Sequence, residues 1–149
     1  GRDMHHTQLE DWKSLLSRDY VDFVSLQYDV DYEEIKKEHP EYSKYFLDTG
    51  YLDQMDDIDG ALALISNLDL VITSPSAPYS LAGALGVETW YYSAASHFML
   101  GRNGKFIEHP LLPNMKNYVT RSAHQDNNIM KDFGERLNKF VNKFHTSKP

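Results

Sequence analysis

The stretch LDLVITSPSAPYSLAGALGVETWYYS, residues 68–93, decides the fold. Its opening LDLVIT is apolar on both sides, as expected for a short strand buried on both faces of a parallel sheet. SAPYSLAGALG then predicts a helix beginning near Ser76 and ending at Gly86, a residue suited to a left-handed C-terminal cap. VETWYYS reads as a further strand. Two strands around one helix make a βαβ unit, whose crossover is right-handed almost by rule.

Working outward, DIDGALALISNL predicts a helix with Ile58, Leu62, Ile65 and Leu68 on one face. HTQLEDWKSLLSR predicts a helix over 8–18, with Leu9, Trp12, Leu15 and Leu16 on one side and Thr7 and Glu10 at capping-box spacing. YVDFVSLQY predicts a strand over 22–27. The acidic, Tyr-rich stretch from Asp29 to Asp57 holds a short helix at YEEIKKE, stopped before Pro40; its remainder reads as surface with room for one short strand. Ala94 to Met115 reads as irregular, NYVTRS as a last strand, and NNIMKDFGERLNKFVNKF as a long amphipathic helix with Ile129, Phe133, Leu137, Phe140, Val141 and Phe144 on its apolar face. No internal repeat or interdomain linker interrupts the chain. The expectation is one domain over 1–149, α/β and Rossmann-like, three-layered around a mostly parallel sheet.

Composition narrows the function. A formal net charge of -7 argues against a binder of nucleic acid, whose affinity rests on Lys and Arg neutralising phosphates. No Cys is present, so no disulfide, thiolate nucleophile or Cys-type zinc site can form. No apolar run approaches the roughly 18 residues of a membrane span, and no signal-peptide pattern opens the chain, so the expected setting is soluble and cytoplasmic.

In open α/β sheets, ligands sit outside the carboxyl ends of the strands, where the loop after LDLVIT emerges. Ser74 and Ser76 offer hydroxyls there, and the N–H groups of Ala77 and Tyr79 lie at the start of the next helix. Such a helix start can hold a diphosphate without Lys or Arg. The simpler reading makes Ser76 a helix cap and Gly83 a point of close packing on the sheet.

DDIDGALALISNLDLVIT, followed by APYSLAGALGVETWYY, resembles the nucleotide-sugar-binding half of GT-B glycosyltransferases of the heptosyltransferase type, including variants fused to tetratricopeptide repeats. The matching positions are Asp59, Gly60, Leu68 to Ile72, Ser76, Leu81 to Gly86 and Trp90, with Gln27 at the family's S-L-Q position. Two departures stand out. The family's His before L-A-G-A-L-G is Ser80 here, which donates one hydrogen bond but cannot carry a cationic charge, and Pro75 replaces the family's Asp or Cys before the loop hydroxyl. Such domains also open with an apolar strand and a Gly-containing loop ahead of the first helix; with none before Leu9, the chain is expected to be a C-terminal piece of a longer protein.

The resemblance implies a donor domain of a metal-independent transferase that moves a sugar from a nucleotide-diphosphate sugar to a hydroxyl acceptor and uses no other cofactor. Donor contacts are then expected at Gln27, Asp59, Ser74, Ser76, Ser80 and Arg102, with Gly83 serving close packing. The catalytic base is expected in the N-terminal domain of the same protein, so this chain alone would be inactive. A degenerate domain that kept the fold and acts as a protein interaction module is the alternative, and a stand-alone nucleotide or small-anion binder is a third reading.

Other constellations carry less. Asp29-Val30-Asp31 matches the three-residue metal-diphosphate pattern of GT-A enzymes but equally a solvated turn. DQMDDIDG resembles part of a calcium loop, yet Met55 and Ser66 stand where acids are required, so carboxylates at a helix start are the simpler account. Arg2, His5 and His6, and likewise His97, Arg102 and Lys105, are basic candidates for a phosphate contact, with Arg102 favoured for its forked guanidinium. No P-loop, G-x-G-x-x-G or metal-binding His pair occurs.

Overall fold

The computed structural model describes residues 7, 9–28, 30, 32–74, 76–93, 106–109, 111–119 and 128–146. Four strands, β1 (Leu70–Thr73), β2 (Glu88–Ser93), β3 (Phe106–Glu108) and β4 (Met115–Val119), form one sheet in the order β1-β2-β4-β3. β1, β2 and β4 run parallel, with Leu70 opposite Glu88 and Thr89 opposite Met115. β3 closes one edge antiparallel to β4, pairing Phe106 with Tyr118. The α/β, Rossmann-like class with a mostly parallel sheet is therefore the observed one.

The helices lie in two layers. On one face, α1 (Lys13–Leu16) packs on α6 (Asn128–Thr146). The core there joins Leu15 of α1 and Ile129, Phe133 and Leu137 of α6 to Trp90, Tyr92 and Tyr118 of the sheet, with Leu70 and Ile72 against its margin. Phe133 is fully buried, its ring centroid 6.0 Å from Trp90, 6.1 Å from Tyr92 and 5.8 Å from Tyr118. On the other face, α4 (Ile58–Ser66) and α5 (Ala77–Ala84) enclose Ile65, Val71 and Ala82. β1 thus sends Leu70 and Ile72 one way and Val71 the other, which is why its sequence is apolar throughout.

The β1–α5–β2 unit forms as its sequence prescribes. Gly86 adopts φ 77°, its N–H bonds the Gly83 carbonyl at 3.2 Å, and the Val87 N–H reaches the Ala82 carbonyl at 3.0 Å. These are the two hydrogen bonds of a Schellman cap, and they turn the chain directly into β2. Gly83 is buried against β4: a Cβ there would stand 2.9 Å from Met115 Cε, so the absent side chain is what lets helix and sheet approach. Ahead of β1 in the chain, Asp57 caps α4, its carboxylate accepting from the Gly60 N–H at 2.8 Å.

Elsewhere the structure departs from the sequence expectations. The helix predicted over 8–18 is a 3-10 turn, Leu9–Trp12, followed by the single α turn of α1. No side chain caps α1, and Thr7 accepts a hydrogen bond at 2.7 Å from the Trp12 indole. The strand predicted over 22–27 is reduced to one parallel bridge between Phe23 and Phe46, because beyond it Ser25 Oγ donates to the Val30 carbonyl and the Val30 N–H to the Gln27 carbonyl, drawing the chain into a turn. Between those bridged residues lie α2 (Tyr32–Glu38) and α3 (Pro40–Ser43), the latter with Pro40 at its first turn. The region read as irregular up to Met115 contains β3, and the strand read at 117–122 starts two residues earlier, at Met115. Ile58, assigned to the buried face of α4, is 49% exposed; Ala61 and Ile65 carry that face.

Candidate functional site

α5 starts directly after β1, so its N-terminus lies at the carboxyl edge of the sheet. α4 runs into the opposite end of β1, which brings its N-terminus to that same edge. The residues between β1 and α5 form a small hydroxyl network. Thr73 Oγ1 and Ser76 Oγ lie 2.9 Å apart, and both hydroxyls donate to the Ser74 carbonyl at 3.0 Å. Ser76 is the N-cap residue in extended conformation, but its side chain does not cap α5. The sequence reading counted the N–H groups of Ala77 and Tyr79 as donors; Pro78 between them has none, and the Tyr79 N–H bonds the Ser76 carbonyl at 3.2 Å. Ala77 alone of that pair keeps its amide at the mouth of the loop.

The Ser74 side chain is tied to the sheet. It hydrogen-bonds the Tyr92 hydroxyl, which also meets Thr7 Oγ1 at 3.2 Å. Burial pushes the Tyr92 phenol above its ordinary pKa, and the hydrogen bonds from Thr7 and Ser74 offset part of that rise. On the opposite face of the same strand, the rings of Tyr91 and Tyr79 stand 4.4 Å apart, and burial raises the Tyr79 pKa as well. Thr73 and Tyr92 are the members of this arrangement that sequence reasoning missed. Thr73 had a legible signal, as a hydroxyl residue beside Ser74; Tyr92 had none, because only the fold brings it to the loop.

The remaining expected site residues are dispersed. Ser80 is exposed on α5, and Asp59 is exposed in the first turn of α4, next to the Asp57 cap. Gly83 sits beneath α5 against Met115. Gln27 lies elsewhere, in a cleft described below that none of the other expected site residues lines. Arg102 lies outside the described residues, as do Arg2, His5, His6, Asp29, Asp31, Pro75, His97 and Lys105. From Tyr45 through Gly101 the sequence has no Lys or Arg, while Asp48, Asp53, Asp56, Asp57, Asp59, Asp69 and Glu88 all fall there. Any anion held by the β1–α5 loop is therefore held by dipoles and hydroxyls against an acidic background, unless a cation from outside that segment joins them.

The cleft has a volume of about 250 Å³ and is built from residues 25–54. Two of its walls are the segments joined at the Phe23–Phe46 bridge, where the Leu47 N–H also donates to the Phe23 carbonyl at 2.7 Å, and Tyr32, Glu34 and Ile35 of α2 complete the lining. Past the bridge the walls part. One turns at 27–30, and the other turns at Gly50, whose φ of 72° is accompanied by a hydrogen bond from its N–H to Asp48 Oδ1 at 2.9 Å. Gln54 Nε2 donates to the Ser25 carbonyl at 3.1 Å and ties one wall to the other.

Comparison with protein-family models, curated proteins and solved structures found no match. Geometry and chemistry alone therefore bear on function. Among the described residues, no three His, Asp or Glu side chains converge to hold a metal ion, and no helix is long and apolar enough to cross a membrane.

Proposed function

We propose that the chain is a nucleotide-diphosphate-sugar-binding domain of a metal-independent, cytoplasmic GT-B-type glycosyltransferase. A partner domain of the same protein would supply the acceptor site and the catalytic base, so this domain alone binds donor without transferring sugar. The observation that carries the reading is the β1–α5–β2 unit: its hydroxyl-rich turn and the start of α5 open at the carboxyl edge of a parallel sheet. In this reading Thr73 and Ser76 release the Ser74 carbonyl and turn to the diphosphate, beside the Ala77 amide. Donors fixed in this way stabilise the negative charge that grows on the departing nucleotide diphosphate, the electrostatic part of catalysis. Ser80 and Asp59 on the neighbouring helix starts, Gln27, and Arg102 are the remaining donor contacts of the reading.

One observation favours a second reading, in which the domain is degenerate and serves protein interaction: both loop hydroxyls already donate to the Ser74 carbonyl. Backbone-amide NMR during titration with UDP-, GDP-, ADP- and CMP-sugars separates the two. Saturable shifts at Ser74 and Ser76–Ser80, abolished by Ser76→Ala together with Thr73→Val, are the result expected of a donor domain. Unchanged spectra at millimolar ligand would replace it with the interaction module.

A further inference from the structure

The cleft between the two bridged segments belongs to no part of the donor reading except through Gln27, and its lining has a chemistry of its own. We infer that it is a binding site for a neutral, hydroxyl-rich ring, a saccharide, distinct from the β1–α5 loop. The inference does not depend on the donor reading.

The position of the cleft is the first argument. Phe23 and Phe46 pair in parallel, with α2 and α3 in the connection between them. This is a βαβ unit whose ladder has shrunk to one bridge. The cleft opens beyond the bridge, outside the carboxyl ends of the two extended segments, which is where open α/β units place their ligands.

The lining supplies the chemical class. Tyr28, Tyr32 and Tyr51 present aromatic rings with polar tips, Gln27 and Gln54 present amides that both donate and accept, and Glu34 presents a carboxylate. No Lys, Arg or His is among the described lining residues, so an anionic ligand would meet no positive charge there and would face the Glu34 carboxylate. A ring carrying many hydroxyls matches this set, because each hydroxyl can donate to a carboxylate or amide oxygen and accept from an amide nitrogen, while its C–H face lies on an aromatic ring. A volume of about 250 Å³, equal to roughly eight waters of bulk liquid, suits a single sugar ring and its first hydroxyls.

The cleft is also prepared for a ligand. The Gln54 amide is held in place by the Ser25 carbonyl, and Tyr51 stands 81% exposed beside the Gly50 turn. An aromatic ring this exposed, beside a polar cavity, costs burial energy that a stacked ligand would restore.

The test is saturation-transfer NMR and calorimetric titration of the full chain with methyl glucoside, N-acetylglucosamine and cellobiose, with uridine and adenosine run alongside. Saturable binding of at least one saccharide in the millimolar range is expected, with transfer to the ring protons of the sugar. Tyr51→Ala should weaken it at least about fivefold, which is about 1 kcal/mol. Because Tyr51 is so exposed, this variant should keep the parent far-ultraviolet circular dichroism. Glu135→Gln, on the exposed side of α6 and outside both sites, should bind saccharide like the parent. No saturation with any saccharide would overturn the inference. So would equal binding by Tyr51→Ala, or tighter binding of the nucleosides than of the sugars. Loss of nucleotide-sugar binding in Ser76→Ala with saccharide binding intact would leave both sites standing separately.

Discussion

Tyr92→Phe tests whether the candidate loop is fastened to the core in the way the structure shows. The substitution keeps the ring, which is 5% exposed and packed edge-on against Phe133 and Trp12, and removes only the hydroxyl. That hydroxyl joins Thr7 and Ser74, and a net hydrogen bond contributes about 0.5–1.5 kcal/mol. Thr7 retains the Trp12 indole as a partner, and Ser74 is half-buried, so neither is left fully orphaned. The expected loss is therefore about 1–2 kcal/mol at neutral pH, with each kcal/mol lowering Tm by about 2–4 °C for a chain of this size.

The pH dependence sharpens the test. The folded protein holds the Tyr92 phenol above its ordinary pKa, chiefly through burial, so its neutral form is favoured by folding. That contribution is fully present below the unfolded tyrosine pKa, about 10, and is lost as pH rises from there through the folded value. The stability gap between parent and Tyr92→Phe, read from urea unfolding at pH 7 and then above pH ~10, should shrink at the higher pH. In a double-mutant cycle at neutral pH, Ser74→Ala should couple to Tyr92→Phe by about 0.5–1 kcal/mol. A variant as stable as the parent at neutral pH, or a gap that does not narrow on the alkaline side, would refute this account of the loop.

Three further outcomes follow from the core and the caps. Phe133→Ala should cost about 3–5 kcal/mol in urea unfolding, because the ring is fully buried among three aromatic neighbours and cannot be replaced by water or solvent. Gly86→Ala should cost about 1–2 kcal/mol purely through its positive φ, since a Cβ there meets nothing within 4 Å; a larger loss would point to a clash the geometry does not contain. Lys116→Met should cost about 1–2 kcal/mol, as Lys116 pairs with Glu88 at a half-buried position and Glu88 keeps the Trp90 indole at 2.9 Å. This loss should change little between low and high salt, unlike that from the exposed Lys36–Glu33 pair.

The sequence was most legible where structure is decided locally. The β1–α5–β2 unit could be read through residue 86 because strand, helix and Schellman cap each have their own short signal. The apolar face of α6 followed from periodicity alone, with Ile129, Phe133 and Leu137 buried as spaced. What failed to show was long-range. β3 is three residues, too short for any alternation to be read, and exists because β4 offers it an edge. The 22–27 segment has strand composition but lost its ladder to side-chain and backbone hydrogen bonds of Ser25 and Val30. The candidate site was half visible: Ser74 and Ser76 were found by their position after β1, whereas Tyr92 reaches Ser74 only through the fold. The cleft was not visible as a cleft: Gln27 and the helix at YEEIKKE were read, but nothing local showed that the segment around Phe46, read as surface, returns to pair with Phe23.

The single bridge at Phe23–Phe46 has a dynamic consequence. The β1-β2-β4-β3 ladder joins both helical layers and should open only with global unfolding, so its amides report the full stability of the domain. The bridged unit has one rung and short helices, and its amides should exchange through a much smaller opening, as a separate foldon. Occupancy of its cleft would then slow exchange there without changing the rest, because a ligand that binds only the closed unit stabilises that unit alone. The domain would sense such a ligand as a local gain of order, carried by the bridged unit between Phe23 and Gln54 while the sheet stays as it was.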